Sequence, residues 1–262
     1  MWDMIILNPM MNALLYLYSL LGQNFAISII VFTVLIRLIT YPLTYQQQKG
    51  MKALQTLQQS KDWQETQKKY AKDREKLAQE QMKLYQKAGV NPIGGCLPTL
   101  VQFPILIGLY QAILRELAQT PLQLLDFFHH VYPFFTQADA LIPINSRFLW
   151  MNLAQPERLF LPFLPQFGIP VLAILVVVST YVMQRMMTPP TSTGDQAAAM
   201  TGMMNIYMPL LLGYFSLTFA SGLSIYYFTS NVLGIAQFAA MGKVDWRRVI
   251  GLPSAPAAKP HK

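Results

Sequence analysis

Charge is nearly absent from long stretches of this sequence and crowded into one central segment, and that distribution limits the folds open to it. Hydrocarbon excludes charge while aqueous loops collect it, so apolar runs around a charged block read as a chain that crosses a bilayer repeatedly. Only 12% of the 262 residues are charged and 53% are hydrophobic, against ~25% charged in an ordinary soluble domain. Proline and glycine weigh little against this, because spanning helices tolerate both when neighbours satisfy the freed backbone groups. Cys96 is the only cysteine, which excludes an intramolecular disulfide and a two-cysteine metal site. The N-terminus shows neither a basic n-region with a small-residue cleavage site nor an Arg- and Ser-rich transit pattern. A removed signal is therefore not expected, and a bacterial cell is favoured.

The pattern predicts an all-α membrane protein with five transmembrane helices. Residues 25–45 are apolar except for Arg37, and at ~1.5 Å per residue they cover a ~30 Å hydrocarbon core. Before them, 1–24 places Met10, Leu14, Leu15, Tyr18 and Leu21 at helical spacing, as in an amphipathic helix on the outer face. A further span there is the rival, disfavoured by the early Asn8, Pro9 and Asn12. Residues 46–90 invert the composition, with lysines interleaved among Glu65, Asp73, Glu75 and Glu80. Apolar residues at helical spacing, Met51, Leu54 and Leu57, then Leu77, Leu84 and Ala88, predict a two-helix coiled-coil hairpin. Asp73 is placed to cap its second arm, with Lys76 and Glu80 as a helix-face pair.

The second span is expected over 97–114, with Pro98 and Pro104 inside it. Residues 115–165 are apolar and aromatic, but Asp126, His129, His130 and Pro133 prevent a clean run, so interfacial helices and loop are expected. A third span covers 167–187, and 188–199 is a polar linker. From 200 to 241 one helix would be ~60 Å long, so the chain must turn at Ala220-Ser221-Gly222, giving spans over 200–219 and 222–241. The basic hairpin and the basic tail 242–262, with Lys243, Arg247 and Arg248, place both in the cytoplasm and the N-terminus outside.

Arg37 is the residue that demands a reason. A central arginine costs roughly 2.5–3.5 kcal/mol on insertion scales. Snorkelling to the cytoplasmic headgroups is one answer; the sharper one is that Arg37 faces a wet cavity between helices. Thr33, Thr40, Gln102, Ser230 and Asn231 are further polar groups at membrane depth, and Thr33 shares a helix face with Arg37. No Asp or Glu lies within the expected spans. An unpaired cation facing water suits the attraction of an acidic group that arrives from elsewhere.

Three ordered blocks carry a family likeness. Leu35-Ile36-Arg37-Leu38-Ile39-Thr40-Tyr41-Pro42-Leu43-Thr44 resembles the first core helix of the YidC/Oxa/Alb membrane-protein insertases. The run from Leu84 through Gly89-Val90-Asn91-Pro92-Ile93-Gly94-Gly95-Cys96-Leu97-Pro98 to Gln102-Phe103-Pro104-Ile105 is the second. Ser221-Gly222-Leu223 with Tyr226-Tyr227 and Ser230-Asn231 is the third. The likeness covers roughly 9–242 and is to a short bacterial form, without the large outer domain of many Gram-negative members or the lipoprotein-type signal of many Gram-positive ones.

This resemblance implies a hydrophilic groove open to cytoplasm and lipid and closed outside, with Arg37, Thr33, Gln102, Ser230 and Asn231 as polar lining. Tyr226 and Tyr227 fall at positions associated with the inserting segment, with ordinary packing as the lesser alternative for both. The implied partners are nascent membrane proteins with acidic or polar N-tails and the lipid bilayer, with a ribosome and a Sec-type translocon as further candidates, and a monomer as the working unit. No cofactor, metal or enzymatic activity is expected: there is no Gly-rich phosphate loop, no HExxH and no GxSxG. Adjacent His129 and His130 are poorly spaced as metal ligands. The Met186-Met187 and Met203-Met204 pairs fit core filling as well as a sliding surface, and Pro92, Gly94 and Gly95 fit helix termination. The competing function is a small anion transporter or channel with Arg37 as its site, against which stands the lack of internal symmetry.

Overall fold

The computed structural model describes residues 1–71, 73–89, 97–117, 120–133, 141, 143–161, 164–187 and 196–241. Pro92, Gly94, Gly95 and Cys96, residues 188–195 and the tail 242–262 lie outside the described residues; of the linker expected over 188–199, residues 196–199 are instead helical, the first turn of the helix Gln196–Thr218.

Helix α1, Asn8–Leu20, follows a single π-helical stretch, Asp3–Leu7. It buries Met10, Leu14, Leu15 and Tyr18 and leaves Tyr16 and Leu20 exposed. The chain then turns through Gly22 and Gln23, at φ of 67° and 59°, a conformation glycine takes freely and glutamine does not. Asn24 starts α2, Phe25–Ile39, by accepting from the Ile27 amide at 3.2 Å.

Where one helix over 25–45 was expected, α2 stops at Ile39 and α3, Tyr41–Gln58, departs at 65°. Pro42 has no N–H to give the Leu38 carbonyl. The Thr40 hydroxyl donates back to the Ile36 carbonyl at 2.8 Å, a bond that bends helices. Alone, α2 is about 22 Å long. Among the described residues no single helix is long and apolar enough to cross a membrane; α2 and α3 pass that test only as a bent pair.

The hairpin has a break that its periodicity does not announce. Ser60 donates to the Leu57 carbonyl at 2.6 Å and accepts from the Trp63 amide at 3.3 Å, so α3 ends and α4, Lys61–Lys69, begins. Asp73 caps α5, Arg74–Lys87, accepting from the Lys76 amide at 3.1 Å. That cap also draws the Lys76 ammonium to Asp73, 3.5 Å away, and Glu80 pairs instead with Lys83 at 2.7 Å. Trp63, buried, meets Tyr85 with ring centroids 5.2 Å apart. Burial pushes the Tyr85 phenol up, and a hydrogen bond with Gln58 opposes the shift.

Helix α6, Leu97–Glu116, leads to α7, Pro121–His130, which opens with a capping box between Thr120 and Gln123. Among the described residues the departure from helix lies in four strands between 147 and 169. Strands β1, Arg147–Phe148, and β2, Met151–Asn152, form one antiparallel ribbon; β3, Leu159–Leu161, and β4, Leu164–Ile169, form another. Helices α8, Val171–Met187, α9, Gln196–Thr218, and α10, Ser221–Ala240, complete the chain.

The connection between the two ribbons answers a backbone requirement: a buried helix N-terminus leaves N–H groups without acceptors. The Ser221 amide donates to the Gln155 carbonyl at 2.9 Å and the Gly222 amide to the Leu153 carbonyl at 3.2 Å. Glu157, only 3% exposed, accepts from the Leu172 amide at 2.9 Å through one oxygen and from Trp150 Nε1 at 2.7 Å through the other. The 153–157 connection thereby caps α8 and α10. The 115–165 segment is also tied to α1, where Tyr18 Oη accepts from the Asn145 amide at 2.8 Å. Asn12 of α1 donates to the His130 carbonyl at 2.9 Å and accepts from the Tyr132 amide at 2.8 Å. Helix α10 packs between α2 and α8, α8 against α9, and α1 against α2 and α6. The main core, including Leu14, Ile29, Leu109, Ile113 and Tyr226, lies among α1, α2, α6 and α10 beneath that cap.

Candidate functional site around Arg37

Residues on a helix recur on one face every three or four positions, and α10 presents Tyr226, Ser230, Gly234 and Gln237 in that register. This stripe faces α2 and α6. Arg37, in the last turn of α2, reaches across to Ser230. Its Nε donates to Ser230 Oγ at 3.1 Å, and its Nη2 lies 2.7 Å from both Ser230 Oγ and the Ser230 carbonyl. Ser230 is buried, so these charge-assisted bonds form where water competes poorly.

Gly234 makes the approach possible. A Cβ there would sit 3.4 Å from Arg37 Nη2 and 2.9 Å from the Met183 methyl. Gly234→Leu is expected to unseat both neighbours and to cost about 1–3 kcal/mol as an overpacked contact, read as a lower midpoint in thermal unfolding. An unchanged midpoint would mean that α10 shifts freely and the close approach is incidental.

The other expected site residues divide between two faces. Gln102 Nε2 donates to the Tyr226 hydroxyl, joining α6 to α10. Tyr226 is buried at 1% exposure and stacks edge-on with Tyr227, centroids 5.8 Å apart. Asn231, one residue beyond Ser230, points the other way: its Nδ2 donates to Thr180 Oγ1 at 2.8 Å and Ser179 Oγ at 3.1 Å on α8. Thr33 is fully buried, and its hydroxyl donates to the Ile29 carbonyl of its own helix at 2.6 Å. Arg37, Ser230, Gln102 and Tyr226 are thus brought together, while Asn231 fastens α8 and Thr33 lies inside the packing. His130, elsewhere, sits 3.1 Å from Arg115, which bonds Asp126 at 2.8 Å.

On its cytoplasm-facing side in the expected topology, Arg37 borders a pocket of about 410 Å³ at the ends of α2 and α10 and the start of α3. Tyr41, Tyr45 and Gln237 share it with Val34, Leu38 and Leu233. Sequence reading missed Tyr41, Tyr45 and Gln237. Their signal was present: Tyr41 follows Arg37 by four positions and Gln237 follows Ser230 by seven, each a same-face spacing. Two contacts hold α3 over the pocket's end: Gln237 Nε2 donates to Thr44 Oγ1 at 3.0 Å, and Lys52 Nζ donates to the Met241 carbonyl at 2.9 Å.

Residues 16–246 match the profile of the family described as 60Kd inner membrane protein. The chain belongs to that family. Among its relatives, membrane protein insertase MisCA of Bacillus subtilis is 34% identical over 90% of this chain and 77% of its own length. Membrane protein insertase YidC of Fusobacterium nucleatum is 34% identical over 85% of this chain and 95% of its own. The inner membrane protein ALBINO3 of Arabidopsis thaliana chloroplasts is 36% identical over 84% of this chain, which spans 47% of that longer protein. The YidC/Oxa/Alb resemblance is therefore shown. Its motif residues Arg37, Gln102, Tyr226 and Ser230 are the ones this 60Kd family member gathers around α10.

Proposed function

We propose that this chain is a membrane-protein insertase of the bacterial cell membrane, with α2, α6, α8, α9 and α10 as its spanning helices. The N-terminus lies outside and the C-terminus in the cytoplasm. The observation that carries the reading is Arg37: a cation bracketed by Ser230 beside an open pocket, in helices whose own sequences hold no Asp or Glu across α2, α3, α8, α9 and α10. A fixed cation in low dielectric attracts a carboxylate far more strongly than it would in water. An acidic or polar N-tail of a nascent membrane protein enters the Arg37 pocket from the cytoplasm, and its apolar segment then leaves along exposed side chains such as Met203, Ile206 and Leu210 of α9 into lipid. Burial of that segment in hydrocarbon supplies the driving force, so no nucleotide is hydrolysed. Helix α2, about 22 Å long, is shorter than the ~30 Å hydrocarbon core, and a short span thins the bilayer around it, which shortens the apolar path a tail must cross. The outer cap closes the far side. The chain acts as a monomer, and the ribosome and a Sec-type translocon are its further partners.

The test is reconstitution of the purified chain in vesicles with a single-span substrate bearing an acidic, untethered N-tail. Protease protection of the tail is the expected result. No protection, together with anion flux that depends on Arg37, would establish the transporter instead.

A further inference from the structure

A half-buried cation bonded to Ser230 but to no acid among the described residues still attracts an anion between substrates, and the Arg37 pocket has the composition of a lipid-headgroup site. Its lining divides by chemistry. Arg37, Gln237, Tyr41 and Tyr45 supply its polar groups, and Val34, Leu38, Leu233, Ala240 and Met241 its apolar ones. Tyr41 and Tyr45 stand in contact, ring centroids 6.0 Å apart, and are 46% and 42% exposed. Amphipathic rings of that kind settle at headgroup depth. Leu38, also in the lining, is 63% exposed. Two helix C-termini, those of α2 and α10, bring about half a negative charge each to this region. Arg37 and Lys52, which donates to the Met241 carbonyl, outweigh them, so the mouth remains net positive. Ser230 occupies Nε and Nη2 of the arginine, leaving the Nη1 edge for an incoming oxygen.

From these features we infer that, between substrates, the pocket holds the phosphate of an anionic phospholipid from the cytoplasmic leaflet. The phosphate accepts from Arg37, the glycerol headgroup lies against Tyr41, Tyr45 and Gln237, and an acyl chain runs along Leu38 and Leu233. Anionic lipids are the anions concentrated at that surface, and basic pockets between spanning helices bind their headgroups. A free phosphate offers the same charge but cannot use the apolar lining. The inference rests on the reading of α2 and α10 as spanning helices. It adds to the proposed function that an acidic substrate tail enters by exchange with a lipid, with no covalent bond made or broken.

Binding is measured on the full chain in neutral detergent by calorimetry, with dioctanoyl phosphatidylglycerol, dioctanoyl phosphatidylcholine and inorganic phosphate as separate probes. The phosphatidylglycerol is expected to bind about ten-fold tighter than either of the others, and Arg37→Gln to erase the preference. Gln237→Glu, which places a built-in carboxylate in the same pocket while keeping the arginine, is expected to erase it too and guards against loss of fold in the first variant. Equal affinity for the two lipids would overturn the inference. So would a preference that survives both substitutions, and inorganic phosphate binding as tightly as the lipid would identify a free-anion site in its place. Because no insertion step is involved, lipid binding without insertion in vesicles would leave this inference standing and remove the insertase reading; the reverse pair of results would do the opposite.

Discussion

Arg37→Glu is expected to reduce insertion of an acidic-tailed substrate by more than about ten-fold, the largest functional effect of any single change in the site. Two charges about 4 Å apart interact by about 4 kcal/mol at an effective dielectric of 20, and reversal turns attraction into repulsion of that order. The replacement is also badly placed for its neighbours. The Ser230 carbonyl that accepts from Arg37 at 2.7 Å would face a carboxylate, two acceptors without a proton between them. Arg37→Lys keeps the charge but not the fork: one ammonium cannot reproduce the Nε and Nη2 bonds to Ser230. The expected order of activity is arginine, lysine, alanine, glutamate. A matched substrate with a neutral tail serves as the internal control and should lose much less. If both substrates decline together, Arg37 serves the packing of α2 on α10 and not the capture of acid.

The largest effect on stability is expected at Glu157→Ala. Glu157 is 3% exposed and uses its two oxygens on two different donors, the Leu172 amide at the start of α8 and Trp150 Nε1. Removing the carboxylate strands both donors, and bonds to a charged group are worth about 1.5–3 kcal/mol each. Partial recovery of water contacts brings the expected loss to about 3 kcal/mol, a fall of roughly 6–12 °C in unfolding midpoint for a chain of this size. Glu157→Gln separates the hydrogen bonds from simple shape: an amide offers one acceptor, and its NH2 must confront one of the two donors. The glutamine variant should therefore fall between wild type and alanine. Wild-type stability in either variant would show that water replaces the carboxylate and that the outer cap holds by its apolar contacts alone.

How much of this could be read in advance depended on the range of the interaction. The arginine within an apolar run, its same-face neighbours and the family likeness are local patterns, and they led to Arg37, Gln102, Tyr226 and Ser230. The break at Thr40 was written in Pro42 but concealed by a continuous apolar pattern that a spanning helix shares. Ser60 was a helix-start signal hidden among charges. Glu157 gave no warning, since a glutamate after a proline in a loop is ordinary until the start of α8 and the Trp150 indole present bare N–H groups to it.

The sequence by itself determined the helical character, the basic hairpin, the family and the presence of a cation with no acid beside it, because periodicity, charge distribution and ordered motifs belong to the chain alone. Only the tertiary structure decided that Arg37 is bracketed by Ser230, that Asn231 one residue later serves α8, and that the connection between the two ribbons caps α8 and α10. Those outcomes turn on distances between residues up to 193 positions apart. A single rotation of α10 by one residue, about 100°, would exchange the roles of Ser230 and Asn231 without altering a letter of the sequence.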